Sequence, residues 1–311
     1  MLTERFVIGT RGSKLALIQT EWVAEKLRVA YPGVELEIEI VQTRGDRDTS
    51  APFSKVGSTG IFAKDIEQAL VEKRVDIAVH SLKDLQTKIH PDLAIGAITD
   101  RESARDVLIS RNGHALHDLP ENSVIGTSSA RRKGLLAVEE KKFAIQECRG
   151  NLQTRLSKLE NGDYNAIILA EAGLARLDMK DRISQAFDVR HFVPAVGQGA
   201  LGIEIRRDDD RTAEIVRAVN NSNVEIACIE ERSFLSEIGG GCHAPVGGHM
   251  FFENGQAVFV AFAGTCDGSW FARREIKVAP SEIRGAGARM AREIRSLPGV
   301  EKFLEEVACI G

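Results

Sequence analysis

"RFVIGTRGSKLALIQT", residues 5–20, decides the fold. Its opening, "RFVIGT", has the length and the Phe, Val and Ile content of a short buried strand. The Arg-Gly-Ser link that follows breaks the strand, and Ser13 is a natural cap for a helix start. "SKLALIQTEWVAEKLRVAYPG" then reads as a helix with Leu15, Ile18 and Trp22 on one face, closed by Pro32-Gly33. A strand running straight into a helix is the repeating step of an α/β sheet. The step continues: "VELEIEIVQT" alternates as a strand, "GIFAKDIEQALVEKRV" is helical, and "DIAVHS" and "DLAIGAI" are further buried strands. A sheet of parallel character follows.

The tetrapeptide "VIGT" of residues 7–10 recurs at 124–127, again leading into a serine and basic helix start, "SSARRKGLL". Strand and helix alternate there too, through "FAIQECRG", "NLQTRLSKLENG" and "YNAIILAEAGLARL", so two related α/β lobes are expected. "FVPAVGQGALGIEIRRDD" reads as a return crossing near 194–200 with a strand in "ALGIEIR". From about 220 the style changes to a helix, "EIACIEERSFLSEI", the strands "GQAVFVAFAGT" and "WFARREIKVA", and two closing helices. The expected domains are 1–99 with 200–219, 100–199, and a smaller α+β domain over 220–311.

With 311 residues, 43% apolar and 28% charged, the chain has the composition of an ordinary globular protein. A formal net charge of −4 argues against bulk affinity for nucleic acid or membrane, while clusters such as Arg131-Arg132-Lys133 leave room for local anion sites. The five cysteines form no C-x-x-C pair, and a reducing cytoplasm is the expected compartment. "MLTERFVIGT" predicts no secretory leader, and no run approaches a membrane span.

The polar signals gather past strand ends, where open α/β sheets bind ligands. Arg11, Arg131, Arg132, Arg149, Arg155 and Arg176 fall in these stretches, and Ser13 and Ser129 stand as helix caps there. Such a group of arginines reads either as a solvated basic face or as a site for a ligand with several anionic arms. No G-x-x-x-x-G-K-[ST] loop exists, and "GQGALG" precedes a strand rather than a helix, so carboxylates are favoured over nucleotide phosphates. Asp84, beside Lys83, is either a turn residue or an ionised carboxylate able to stabilise a developing cation. His80 reads as a satisfied core histidine, and His114 and His117 lack a third ligand, so no metal is expected. Cys242 stands in "IGGGCHAPVGG", residues 238–248, among five glycines. A thiol there is a nucleophile, an attachment point for a bulky planar group, or inert.

These segments together resemble the porphobilinogen deaminase (hydroxymethylbilane synthase) family over nearly the whole chain. The matching stretches are "IGTRGSKLALIQT", "TRGD", "GIFAKDIEQAL", "VHSLKDL", "IGTSSARR", "RGNLQTRL", "ILAEAGLARL", "VGQGALGIE" and "ERSFLSEIGGGCHAPVG". The resemblance implies three α/β domains, two of them like the lobes of periplasmic binding proteins, and a dipyrromethane cofactor bound by thioether to Cys242. It implies condensation of four porphobilinogen units into linear hydroxymethylbilane with loss of ammonia; a cytoplasmic monomer, with neither nucleic acid nor membrane as partner, is expected. Asp84 becomes the central carboxylate; Lys83, Ser129, Arg131, Arg132 and Arg155 hold cofactor carboxylates. Arg11, Ser13, Arg149, Arg155 and Arg176 hold substrate or growing chain. The chain departs from the family pattern at Gln86, Ala130 and Ser58-Thr59. The rival readings are a two-lobed anion receptor without chemistry and a cysteine-nucleophile transferase.

Overall fold

The computed structural model describes residues 4–42 and 61–310. The "TRGD" motif at 43–46 and the Ser58-Thr59 departure lie outside the described residues. The contacts divide the chain into two compact units, Met1–Glu102 with Ala200–Glu225, and Ser103–Gly199 with Ile226–Gly311.

In the first unit, β1 (Arg5–Thr10) is followed by α1 (Lys14–Ala30), β2 (Glu35–Ile40), α2 (Ile61–Val71), β3 (Ile77–Ser81) and β4 (Leu93–Ile98). The chain returns with β10 (Leu201–Arg206) and α6 (Asp210–Val216). The sheet order is β2-β1-β3-β10-β4. β1, β2 and β3 are parallel, and β10 runs antiparallel between β3 and β4. Phe6, Ile8 and Ile77 are fully buried against Val23, Ala24 and Leu27 of α1. The buried face of α1 is thus Gln19, Thr20, Val23, Ala24 and Leu27, not the face of Leu15, Ile18 and Trp22. Trp22 is 39% exposed, with the Lys26 ammonium 5.4 Å from its ring centroid. The glutamates at 35, 37 and 39 make β2 a charged sheet edge, which resists pairing with other chains.

Glu204 of β10 is fully buried. Its Oε2 lies 3.1 Å from Nε2 of His80 on β3, so His80 is the paired core histidine its sequence position suggests. Burial, and then the Glu204 charge, push the Glu67 carboxyl of α2 above its ordinary value.

In the second unit β5 (Asp106–Ser110) precedes β6 (Val124–Gly126), α3 (Ala130–Ala137), β7 (Ala144–Gln146), α4 (Leu152–Asn161), β8 (Ala166–Ala170), α5 (Glu171–Arg176) and β9 (Gln185–Ala186). The order is β7-β6-β8-β5-β9. β6, β7 and β8 are parallel, and β5 is antiparallel to β8 and β9. This repeats the first sheet's plan, with β5 in the place of β10. The two "VIGT" stretches occupy equivalent strands, β1 and β6.

The rest of this unit is an antiparallel meander of β11 (Val246–Glu253), β12 (Gln256–Gly264) and β13 (Phe271–Val278) with the helices α7 (Ser222–Ile238), α8 (Ala286–Arg295) and α9 (Glu301–Ile310). Phe259, Ala261 and Ala263 on one face of β12 pack with residues of the helices, such as Phe234, Met290 and Phe303. Val258, Val260 and Phe262 on its other face join Leu108, Ile125 and Phe192 of the α/β lobe. Burial on both faces explains the unbroken apolar run. β11 was not expected as a strand, because Gly247 and Gly248 dilute its pattern. Both are required by close approach: a Cβ on Gly247 would sit 2.6 Å from the Val193 carbonyl, and one on Gly248 2.9 Å from the Phe234 ring.

α7 and α8 also approach closely. A Cβ on Gly287 would lie 1.9 Å from the Glu230 carbonyl oxygen. The Glu230 carboxylate accepts from the Gly285 and Gly287 amides at 3.0 Å each, supplying the cap that α8 lacks from its own residues.

Two stability measurements follow. Gly287→Ala should lose roughly 3 kcal/mol or more in urea unfolding, through forced separation of two helices. Gly241→Ala, where no described atom lies within 4 Å of the added Cβ, should lose only about 1 kcal/mol for its left-handed backbone. Glu67 gives a pH test. A carboxyl whose folded value is raised above 4.5 is destabilising once pH exceeds 4.5, increasingly so until pH passes the raised value. Glu67→Gln should therefore gain stability over the wild type as pH rises through that window, and show no gain below it.

Candidate active site

In each lobe, adjacent parallel strands deliver their carboxyl ends to one sheet edge, and the singled-out residues follow those ends. In the first unit, Arg11 and Ser13 follow β1, and Lys83 and Asp84 follow its neighbour β3. Ser13 caps α1, its hydroxyl accepting from the Ala16 amide at 3.3 Å. Lys83 and Asp84 lie in a single 3-10 turn, Leu82–Asp84. That turn is pinned by buried Leu82 and Leu85 on either side and by the Leu82 amide donating to the Ala200 carbonyl at 3.0 Å. The side chain between the two leucine anchors that points to water is Asp84, which is exposed. Gln86 follows Leu85 and is half-buried.

In the second unit, Ser129, Arg131 and Arg132 follow β6, Arg149 and Arg155 follow β7, and Arg176 closes the helix after β8. Ser129 caps α3, accepting from the Arg132 amide at 3.4 Å. Ala130, one of the departures from the family pattern, opens α3 beside this cap. Arg131 and Arg132 are not loop residues on a solvated face. They stand in the first turn of α3, 4% and 6% exposed.

Their partner is a residue that sequence reasoning missed. Asp106 opens β5 and is fully buried. Because β5 runs antiparallel to β8, pairing Asp106 with Ala170, its first residue lands at the carboxyl end of β8. Arg132 donates to Asp106 Oδ1 from Nη2 at 2.6 Å and from Nε at 3.1 Å, and Nη1 reaches the Ile168 carbonyl at 2.6 Å. Arg131 Nη1 lies 2.7 Å from Asp106 Oδ2 and donates to the Val193 carbonyl at 2.7 Å. Burial would push the Asp106 carboxyl up, but the two guanidiniums outweigh it and hold it well below the usual carboxylate range. The signal in the sequence was a lone charged residue at the start of the strand "DVLIS".

The other arginines are half-buried. Arg149 pairs with Glu147 at 2.6 Å. Arg155 Nε donates to the Gly150 carbonyl at 2.8 Å, and Arg176 Nη2 to the Gly199 carbonyl at 2.7 Å. Two buried cations against one buried anion leave the α3 cluster with one positive charge in excess, and two-pronged donors suit carboxylate arms. The residues present therefore fit a cofactor carrying carboxylates.

Cys242 lies in a 3-10 turn, Gly241–His243, entered directly from α7. Gly239, Gly240 and Gly241 have φ of 96°, 80° and 58°. Three successive left-handed residues require glycine for the backbone itself, a reason separate from room for a ligand. Of the remaining cysteines, Cys148 and Cys228 are buried. Burial and the neighbouring Glu306 push the half-buried Cys266 thiol up to about 12, which leaves it a poor nucleophile. Cys309 is exposed. Among the described residues, no cluster of His, Cys, Asp and Glu is arranged to hold a metal ion.

Residues 6–214 match the family model "Porphobilinogen deaminase, dipyromethane cofactor binding domain", and 225–296 match "Porphobilinogen deaminase, C-terminal domain". The chain is 43% identical over 310 residues to the porphobilinogen deaminase of Chlorobium phaeovibrioides, covering 98% of this chain and 99% of that one. The same figures hold for the porphobilinogen deaminase of Chlorobium luteolum. Among solved structures it is similar to the methionine binding protein MetQ, with a TM-score of 0.46 and 12% identity over 74% of this chain and 90% of that one. Matched along nearly its full length by both family domains and by these relatives, the chain belongs to the porphobilinogen deaminase family.

Proposed function

We propose that this chain is the transferase that condenses four porphobilinogen molecules head to tail into hydroxymethylbilane, releasing ammonia at each step. The observation that carries the reading is membership of the family over 98% of the chain. A dipyrromethane on Cys242 supplies the free pyrrole α-carbon from which the product chain grows. Loss of ammonia from the aminomethyl arm of porphobilinogen leaves an electron-poor methylene-pyrrole cation. Asp84, held outward between two buried leucines, accepts from pyrrole N–H groups and stabilises that cation with its negative charge. Its rigid anchoring limits the reorganisation needed as charge develops.

The acetate and propionate arms of each pyrrole call for paired donors. Lys83, Ser129, Arg131, Arg132 and Arg155 take those of the cofactor. Arg11, Ser13, Arg149 and Arg176 take those of the substrate and growing chain, with Arg155 shared. The enzyme works as a cytoplasmic monomer with neither nucleic acid nor membrane as a partner. A formal net charge of −4 speaks against bulk affinity for nucleic acid or an anionic membrane surface.

Asp84→Asn tests the mechanism. The variant should keep the mass of a cofactor-loaded chain and lose at least about a hundredfold in ammonia release from porphobilinogen. A loaded variant turning over within twofold of the wild type would remove Asp84 from its role. A loaded wild type that releases no ammonia would remove the function itself.

A further inference from the structure

The turn Gly197-Gln198-Gly199 belongs to a stretch that looks like a phosphate loop in sequence and is not one. Gln198 is 1% exposed. Its Nε2 donates to Asp106 Oδ1 at 3.1 Å and to the Ala104 carbonyl at 2.7 Å, fixing the strand start and the carboxylate together. Gly197 and Gly199 have φ of 72° and 93°, the left-handed geometry that turns Gln198 inward. The same turn accepts Arg176 on the Gly199 carbonyl at 2.7 Å. Its Gly197 amide donates to Glu231 of α7 at 2.7 Å.

We propose that Asp106, held by Gln198, is a positioning residue for cofactor loading: it aims Arg131 and Arg132 and leaves their buried cluster one positive charge in excess, which one carboxylate arm of the cofactor balances. The proposal rests on the reading that these arginines hold that cofactor. One guanidinium is enough to neutralise Asp106, and the structure places two against it. Burying a second guanidinium against the same carboxylate is costly unless a further anion arrives. With both oxygens of Asp106 facing guanidiniums, and Gln198 fixing the carboxylate, neither arginine can swing to meet an incoming arm. They are preset, and the ordering is completed before the ligand binds.

The test uses apo chain made in a host unable to form porphobilinogen, incubated with porphobilinogen and followed by intact mass. Wild-type chain that gains the mass of two linked pyrroles validates the assay. Failure at that step counts against the function, not against Asp106. Folded Asp106→Asn should load about a hundredfold more slowly, and Asp106→Glu, which restores the charge, should recover to within about tenfold of the wild type. Loading of folded Asp106→Asn at the wild-type rate would overturn the proposal, as would equal slowness of the Asn and Glu variants, which would make shape and not charge the requirement. If circular dichroism shows Asp106→Asn unfolded, Gln198→Leu decides, since it keeps every charge. Loading about tenfold slower with a wild-type thermal midpoint supports the role, and loading at the wild-type rate refutes it.

Discussion

The carboxylate of Asp106, without access to water and shared by two arginines, is the constraint around which the second unit is arranged. An ion in that position is tolerated only if its partners are close and well aimed, and losing one partner from such a cluster costs about 3–5 kcal/mol. The need for alignment therefore reaches outward. It fixes the start of β5, the first turn of α3, and the Val193 and Ile168 carbonyls, each of which accepts from one of the two guanidiniums. It also fixes the turn at 197–199 through Gln198. These partners within the fold offset part of the cost of desolvating the three charges.

The two lobes share one solution to a topological problem. Each sheet has parallel strands whose carboxyl ends lead into the candidate site residues, with one antiparallel strand inserted beside them. That inserted strand brings its amino end to the same edge and sets its first residues beside them: Asp106 on β5, and Leu201 on β10 paired with Ser81 just before the Asp84 turn. Glycine plays a different part in each place. In the cysteine loop it permits three consecutive left-handed residues, whereas in β11 and α8 it permits contact between backbones.

Much of this was legible in the sequence because it rests on local pattern. Strand and helix alternation, the return crossing and the Ser13 and Ser129 caps all depend on residues a few positions apart, and the repeat of "VIGT" identified equivalent strands from four residues. What could not be read depended on partners far along the chain. The buried face of α1 is chosen by Phe6, Ile8 and Ile77, which hydropathy within the helix does not reveal, so Trp22 was misplaced. β11 was hidden because its glycines answer to Val193 and Phe234. Burial of Arg131 and Arg132 against an anion could not be read, since nothing near them in sequence indicates a carboxylate 26 residues from Arg132. Asp106 itself carries no motif. Its role comes from strand direction, which only the assembled sheet supplies.

The central claim is that Cys242 carries the group on which the product chain is built. The most direct test is the intact mass of the denatured, purified chain, with peptide mapping of the segment around Cys242 and Cys242→Ser as the reference. The account predicts an excess equal to two linked pyrroles, confined to the Cys242 peptide and absent from the variant. An unmodified wild-type chain that stays unmodified after incubation with porphobilinogen, or an adduct on another cysteine, would contradict it.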